Sequence, residues 1–347
     1  MRGICRWFPA YLCLGAVFLG CSRPLPEGMG SNHEIVVIAD SLERELFEKQ
    51  LRYIFEKQVR TPQIERVFTL EFQKPKDFDF YRQWKNLLLL SPLHSQGQAA
   101  QLIKSLLTSR ALNMVENDSA YMFVKKDVWA KEQVLLLLTA KDNQTLNRKL
   151  QVHASEIFEL MERCLDQKIE AWLYAKGWQQ RVEKQLWERF GWSIRLPTGY
   201  SIERQSADSS FVWIRKRNPD RWLFVHWESL QKGAKVSETT EKEFWARRRN
   251  QICQLCYHGD RVVLPLTEVS RTTFGAREAV RLDGLWENRE KLAGGPFRTW
   301  FFADSPSARS FMVDIALCAP AFDKEPYLRH LEIIAHTFST EEPNPAR

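Results

Sequence analysis

Glu34-Ile35-Val36-Val37-Ile38-Ala39-Asp40 is an apolar run closed by an acid, and Glu43 stands three residues beyond Asp40. Such a run reads as a strand covered on both faces, because a strand with one wet face would alternate. Asp40 and Glu43 have the spacing of a capping box, which predicts a helix beginning at once. Leu42, Leu46, Phe47, Leu51, Ile54 and Phe55 lie on one side of that helix, and Thr61-Pro62 is expected to end it. A buried strand handing directly to a helix opens an α/β fold.

Further strands are expected at 66–72, 86–91, 120–125 and 133–139, with a helix at 98–107. Asn86-Leu87-Leu88-Leu89-Leu90 is again continuously apolar, as a central strand is. Residues 34–140 therefore read as an N-terminal α/β domain. From 143 to 190 there is no proline, and Ile157, Leu160, Met161, Cys164, Ile169, Trp172, Leu173, Trp178, Val182, Leu186 and Phe190 recur at helical spacing. That makes 141–190 a long helical connector, with Gly177 as a break, Gly191 as the stop and Cys164 as a small core residue.

The second half changes character. Short strands are expected at 192–196, 200–204, 211–216 and 222–228, then a helix at 240–257 capped by Thr240 with Glu243. Strands at 262–270, 276–285, 297–303 and 310–318 follow, then a helix at 327–338 and a tail from 341 to 347. Residues 191–340 thus read as an antiparallel-sheet αβα sandwich, and the whole chain as α/β (α+β) without an internal repeat.

The N-terminus follows another logic. Arg2 and Arg6 precede an apolar stretch from 7 to 20, and Cys21 and Ser22-Arg23-Pro24-Leu25-Pro26 come next. The stretch is shorter than the ~20 residues a spanning helix needs, which leaves a cleaved secretory signal or a lipoprotein signal. Phe18-Leu19-Gly20-Cys21 resembles a lipobox, with Phe18 where leucine is usual. The resemblance implies that 1–20 is a lipoprotein signal peptide, that Cys21 carries diacylglycerol and acyl chains such as palmitate, and that 21–33 is a flexible tether. It also implies a periplasm-facing, membrane-anchored place in the cell envelope. Ser22 beside the cysteine, in place of aspartate, points to the outer membrane.

The formal charge of +7 falls to about +5 once Arg2 and Arg6 leave with the signal, and 44% hydrophobic with 27% charged residues is ordinary globular composition. The basic residues are interspersed with acids. Even Arg247-Arg248-Arg249 follows Glu238, Glu241 and Glu243, with Glu243 and Arg247 in the stabilising i,i+4 order, so no nucleic-acid partner is expected.

Gly191-Trp192, Ile194 and Pro197, with the closing Ile333-Ile334-Ala335-His336-Thr337-Phe338 and the element order between them, resemble the PsbP-like αβα fold. Ile35 to Asp40, Gly284-Leu285-Trp286-Glu287-Asn288, Gly294-Gly295-Pro296-Phe297 and Ala319-Pro320-Ala321-Phe322 are similar to an uncharacterised bacterial lipoprotein family known as a domain of unknown function. That likeness implies a compartment and no activity.

Cys253-Gln254-Leu255-Cys256 is the sharpest chemical motif. It falls at the end of its expected helix, where the dipole raises rather than lowers a thiol pKa, so structural thiols or a disulfide are expected instead of redox chemistry. Tyr257 stands where a c-type haem needs histidine, and Cys253, Cys256 and His258 supply too few ligands for structural zinc. No metal and no cofactor is expected. The nucleophile elbow, zinc helix, phosphate loop and dinucleotide fingerprint are missing from the sequence.

Alternation puts Phe311, Val313, Ile315 and Leu317 on one strand face and Met312, Asp314 and Cys318 on the other. On neighbouring strands Arg298 and Trp300 share a face, as do His226 and Glu228, and Trp286-Glu287-Asn288 is expected to leave a strand for a glycine-rich loop through Gly295. Trp286, Glu287, Asn288, Arg298 and Trp300 are the candidate ligand-binding residues, since aromatic and charged groups together suit a sugar, peptide or protein surface. The expected role is a non-catalytic binding or assembly component with an envelope protein or glycan as partner. The alternative is an envelope enzyme acting on glycan or peptide, with His226, Asp283 and Glu287 as acid–base groups.

Overall fold

A computed structural model describes residues 24–230, 239–256 and 259–343. Cys21 and the 1–20 signal expectation lie outside the described residues, as do Glu238, Tyr257, His258 and the end of the tail.

The first unit runs β1 (Glu34–Ile38), α1 (Ser41–Phe55), β2 (Gln58–Arg60), β3 (Ile64–Arg66), β4 (Thr69–Gln73), α2 (Phe78–Tyr81), β5 (Asn86–Leu90), α3 (Gln98–Leu106), α4 (Ser109–Glu116), β6 (Met122–Lys126) and β7 (Val134–Leu138). Its five-stranded sheet has the order β4-β1-β5-β7-β6, parallel except for the antiparallel edge β6. Ile35, Val37, Leu88, Leu90, Leu136 and Leu138 face α1 and the helices that follow β7. Val36, Ile38, Leu87, Leu89, Leu135 and Leu137 pack against Ile103 of α3 and Val115 of α4. Both faces are dry, which is why these strands are apolar without alternation.

Several expectations need correction here. Asp40 makes no side-chain bond to its own helix; its Oδ2 accepts from Ala99 N at 2.9 Å in the first turn of α3, while buried Glu43 accepts from Ser95 Oγ at 2.7 Å. The two acids therefore tie the β1–α1 and β5–α3 connections together and form no capping box. Helix α1 stops at Phe55, and Thr61-Pro62 turns the separate β2–β3 hairpin. Helix α4, unforeseen, starts where Thr108 accepts from Ala111 N. Residues 26–30 of the expected tether are hydrogen-bonded to the unit through Lys131, Gln83 and Lys85.

The connector is three helices, α5 (Asn143–Val152), α6 (Ala154–Tyr174) and α7 (Gln180–Phe190). Gly177 and Gly191 both take positive φ, at 74° and 66°, at the break and the stop. The helices divide between two cores. Leu150, Ile157, Met161, Cys164 and Ile169 join the first unit, whereas Leu186 and Phe190 join the second.

That second unit contains β8 (Ser201–Ser206), β9 (Phe211–Lys216), β10 (Asp220–Ser229), α8 (Lys242–Cys256), β11 (Arg261–Val262), β12 (Glu268–Phe274), β13 (Arg277–Asn288), β14 (Ala293–Asp304), β15 (Arg309–Cys318) and α9 (Glu325–Ala335). The eight-stranded antiparallel sheet has the order β11-β13-β14-β15-β10-β9-β8, with β12 also on β13. Trp245, Ile252, Cys253 and Cys256 of α8 cover one face; Leu328, Leu331 and Ile334 of α9, with α7, cover the other. Residues 192–196 form no strand, contributing only a bridge from Ser193 to Ser339. The expected strand 262–270 is broken by a 3₁₀ turn at Leu264–Leu266, because Pro265 cannot donate to a ladder.

The units meet where α9 lies on α6. Arg329 donates to Glu325 at 2.6 Å, to Asp166 at 2.7 Å and to Glu162 at 3.1 Å. Glu65 of β3 accepts from the backbone N–H groups of Lys324 and Glu325, both at 2.7 Å, and so caps α9 from the other unit.

Candidate functional site: the cleft between the units

Between the β2–β3 hairpin, α6, α9 and strands β13 and β14 lies an open cleft of about 630 Å³. Period-2 alternation sends Arg281 and Asp283 of β13 to one face, where Arg298 of β14 stands opposite Asp283 in the ladder. Asp283 accepts from Arg281 at 2.6 and 2.9 Å and from Arg298 Nε at 3.0 Å. Glu332 of α9 pairs with Arg298 and stands 3.6 Å from Arg281. Burial pushes Glu332 up, but Arg298 and Arg281 outweigh it and hold the carboxyl below its ordinary value. Burial likewise opposes the charge of Arg281, and Glu332 and Asp283 overcome it and raise the pKa. The floor is thus an ordered array of guanidinium and carboxylate groups.

The rim draws on both units: Lys57 and Arg60 come from the first unit, and Arg60 pairs with Glu268 of the second across the opening. Ile64, 76% exposed, and Leu266, 44% exposed, add apolar surface on either side. Gly284 lines the floor where a Cβ would come within 2.6 Å of Thr267 Oγ1, so no side chain fits. The lining contains no Ser, Cys or His. What the arrangement offers is directed N–H donors and carboxylate acceptors, suited to holding a polar ligand or a partner segment.

Of the sequence candidates, the structure brings Asp283 and Arg298 to this cleft. His226 lies across the sheet, facing α8 in a small cavity of about 230 Å³ with Glu228, Arg248 and Phe244, and burial pulls its pKa down to about 4. Glu287 stands near the end of β13 outside the cleft lining, beside Asn250 and Gln254 of α8, and its side chain is 42% exposed and pairs with Arg289 at 3.0 Å. His226, Asp283 and Glu287 therefore do not form one acid–base constellation.

Trp286 is buried edge-on against Trp222 at 5.1 Å, and Trp300 is buried beside Phe274 and His336 at 5.4 Å each. Neither presents a ring to a ligand. Asn288 is buried and donates to Asp260 at 2.8 Å. The Trp286-Glu287-Asn288 segment does not leave its strand, and Gly294 and Gly295 belong to β14. A Cβ on Gly295 would stand 2.0 Å from Leu317 O, so glycine serves sheet packing there and not a loop.

Cys253 and Cys256 face the sheet from the end of α8, and burial raises the Cys256 thiol to about 11. Among the described residues no group of three His, Cys, Asp or Glu side chains is placed to hold a metal ion. Sequence reasoning missed Arg281, Glu332, Arg329 and Arg60. The i,i+2 spacing of Arg281 and Asp283 on an expected strand was the one signal available.

Residues 179–337 match the family model described as Domain of unknown function (DUF4837). Residues 28–170 match another, Domain of unknown function (DUF8532). Two domains of unknown function are found. The gap between the matches contains Gly177, where the cores part.

No curated protein matches the chain. Among solved structures, one from Bacteroides thetaiotaomicron VPI-5482 is 8% identical over 45% of this chain and 46% of its own, with a TM-score of 0.25. The chain thus spans about half of that structure's length. LpqN, described as involved in cell envelope biogenesis of Mycobacterium tuberculosis, is 13% identical over 43% of this chain and 82% of its own, with a TM-score of 0.26. A mutant of the protein Mog1 is 9% identical over 43% and 90%, with a TM-score of 0.29. These partial likenesses carry no functional argument.

Proposed function

We propose that the protein is a lipid-anchored, periplasm-facing component of the bacterial cell envelope, held through Cys21 in the outer membrane. In this reading it is a non-catalytic binding or assembly component that takes an envelope protein or glycan in the cleft between its units. One observation carries the binding role: the cleft floor is a set of mutually paired ions, Arg281, Asp283 and Arg298, held from α9 by Glu332. Paired guanidinium groups keep N–H donors for a ligand while staying fixed in place, which favours recognition over proton transfer. No helix among the described residues is long and apolar enough to cross a membrane, so the anchoring assigned here falls to the lipid. The layer order of the second unit supports a PsbP-like sandwich.

The test is in-cell crosslinking from a photoreactive residue at Ile64 or Leu266, on the cleft rim, followed by co-purification. A stoichiometric envelope partner or glycan captured from both positions, and lost in Arg298→Glu, is the expected result. Capture that is unchanged by Arg298→Glu would refute a role for the cleft.

A further inference from the structure

The segment that leads from Cys21 to the body is fastened early. Pro26 O accepts from Lys131 N at 2.8 Å, Met29 N donates to Gln83 O at 2.9 Å, and Met29 O accepts from Lys85 N at 2.8 Å. Gly30, at φ 78°, lies so close to the Trp84 indole that a Cβ would stand 2.6 Å from the ring. Pro26 is five residues beyond Cys21, and an extended chain spans at most ~3.6 Å per residue, so this edge of the body stays within about 18 Å of Cys21.

At that edge three rings cluster. Phe80 and Tyr81 stand 4.9 Å apart, Tyr81 and Trp84 4.8 Å, and Phe80 and Trp84 5.6 Å. Phe80 is 67% exposed and Met29 46%. Several charges beside them are paired, Lys131 with Glu27 at 2.7 Å, Lys85 with Glu132 at 3.2 Å and Arg82 with Asp79 at 3.4 Å, while the carboxylates of Glu71, Asp77 and Glu34 stand near enough to Tyr81 to act on it. Exposed Phe80 and Met29, with half-buried Tyr81 and Trp84 beside them, have the composition of a membrane interface belt, where amphipathic rings sit at headgroup level.

We propose that Met29, Phe80, Tyr81 and Trp84 form a face that rests in the headgroup layer of the bilayer holding the Cys21 lipid. The inference rests on the lipidation of Cys21 proposed above. The occupant is the bilayer because the short span from Cys21 to Pro26 keeps the membrane within reach of this face. The body then lies against the membrane in one orientation.

The test uses the full lipidated protein, its intact mass measured first, in vesicles of phosphatidylethanolamine and phosphatidylglycerol. Amide hydrogen exchange is read for peptides covering 26–31 and 78–84, in the wild type and in Met29→Glu/Phe80→Glu. The expected result is an acylated protein in which these peptides exchange several-fold faster in the variant and the rest of the chain is unchanged. Phe80→Ser, a smaller change at an exposed position, replaces the charged pair if melting shows that pair to unfold. An acylated protein whose peptides exchange alike in wild type and variant would overturn the membrane face and leave the anchor standing. An unacylated mass would overturn both.

Discussion

Replacing Arg329 by methionine removes the cation that joins α9 to α6. The Arg329 side chain is 7% exposed and that of Glu325 4%, so this pair is buried. Removing one partner of a buried pair costs about 3–5 kcal/mol, chiefly because the other charge is left without compensation. The outer partners, Glu162 and Asp166, are 33% and 42% exposed, and pairs of that kind are worth ~0–1 kcal/mol each. The expected loss is therefore about 3–5 kcal/mol at pH 7, set by Glu325, with the outer pairs adding little.

The sign of the pH dependence separates lost charge pairing from lost packing. Burial already raises the Asp166 carboxyl above its ordinary 3.8, against the pull of Arg329. Without the guanidinium that rise grows. A raised folded pKa contributes stability below the unfolded value and loses it as pH climbs, so the Asp166 share of the deficit, ~0–1 kcal/mol, should shrink as the pH is lowered from 7 toward 4. Urea unfolding followed by tryptophan fluorescence at both pH values measures it, with Arg329→Lys as an intermediate that keeps charge without the planar fork. A deficit below about 1 kcal/mol at pH 7, or one that grows as the pH is lowered, would refute the reasoning.

Four further outcomes follow from the same structure. Cys256, raised to about 11 by burial, should react with iodoacetamide at pH 8 far more slowly than an exposed thiol, and rapid labelling of the native protein would contradict its placement under α8. His226 is lowered by burial from 6.5 to about 4, so the unfolded chain takes up a proton between those values that the folded one does not; stability should fall as pH drops through that window, and His226→Phe should flatten the slope. Asp40→Ala should cost about 0.5–2 kcal/mol through loss of the bond to Ala99 N, read by urea unfolding, while Glu43→Gln, which keeps an acceptor for Ser95, should cost less. Glu332→Gln should lower thermal stability at pH 7 and lose less at acid pH, because its depressed carboxyl stabilises the fold above its unfolded value of 4.5 and not below; an equal loss at pH 3 would contradict the pairing with Arg298 and Arg281.

The parts of the fold that could be read beforehand are those where one physical rule dominates. Val36 to Ile38 and Leu87 to Leu90 are apolar on both faces, and only a strand inside a parallel sheet needs that. Phe311, Val313, Ile315 and Leu317 alternate with Met312 and Asp314, and the two sets do face opposite cores. What escaped were features decided by distant partners. Asp40 and Glu43 have the local signature of a cap, but Ala99 and Ser95, brought in by β5, compete successfully for them. The β2–β3 hairpin has only three residues per strand, too short for any period to register.

The candidate site was half legible for the same reason. Asp283 and Arg298 were chosen from strand alternation, which is local. Glu332 and Arg329 reach the cleft from α9 and Arg60 from β2, and no spacing in the chain announces that. The tryptophans misled because Trp286 and Trp300 serve the two cores of the sandwich, the commoner fate of so large an apolar surface.

Helix α9 is the last helix of the described residues and also the piece that completes both the second core and the seam with the first. Its N-terminal amides wait for Glu65 and its Arg329 for Glu162 and Asp166, all made much earlier. A chain that emerges from its N-terminus presents the seat long before the helix that fills it. Until then the α9-facing side of the sheet, with Val313, Ile315 and Leu317, stays open. A truncation just before Glu325 would therefore leave a vacated seat on one unit and an uncovered apolar sheet on the other, a species suited to chaperone capture or proteolysis and not to accumulation.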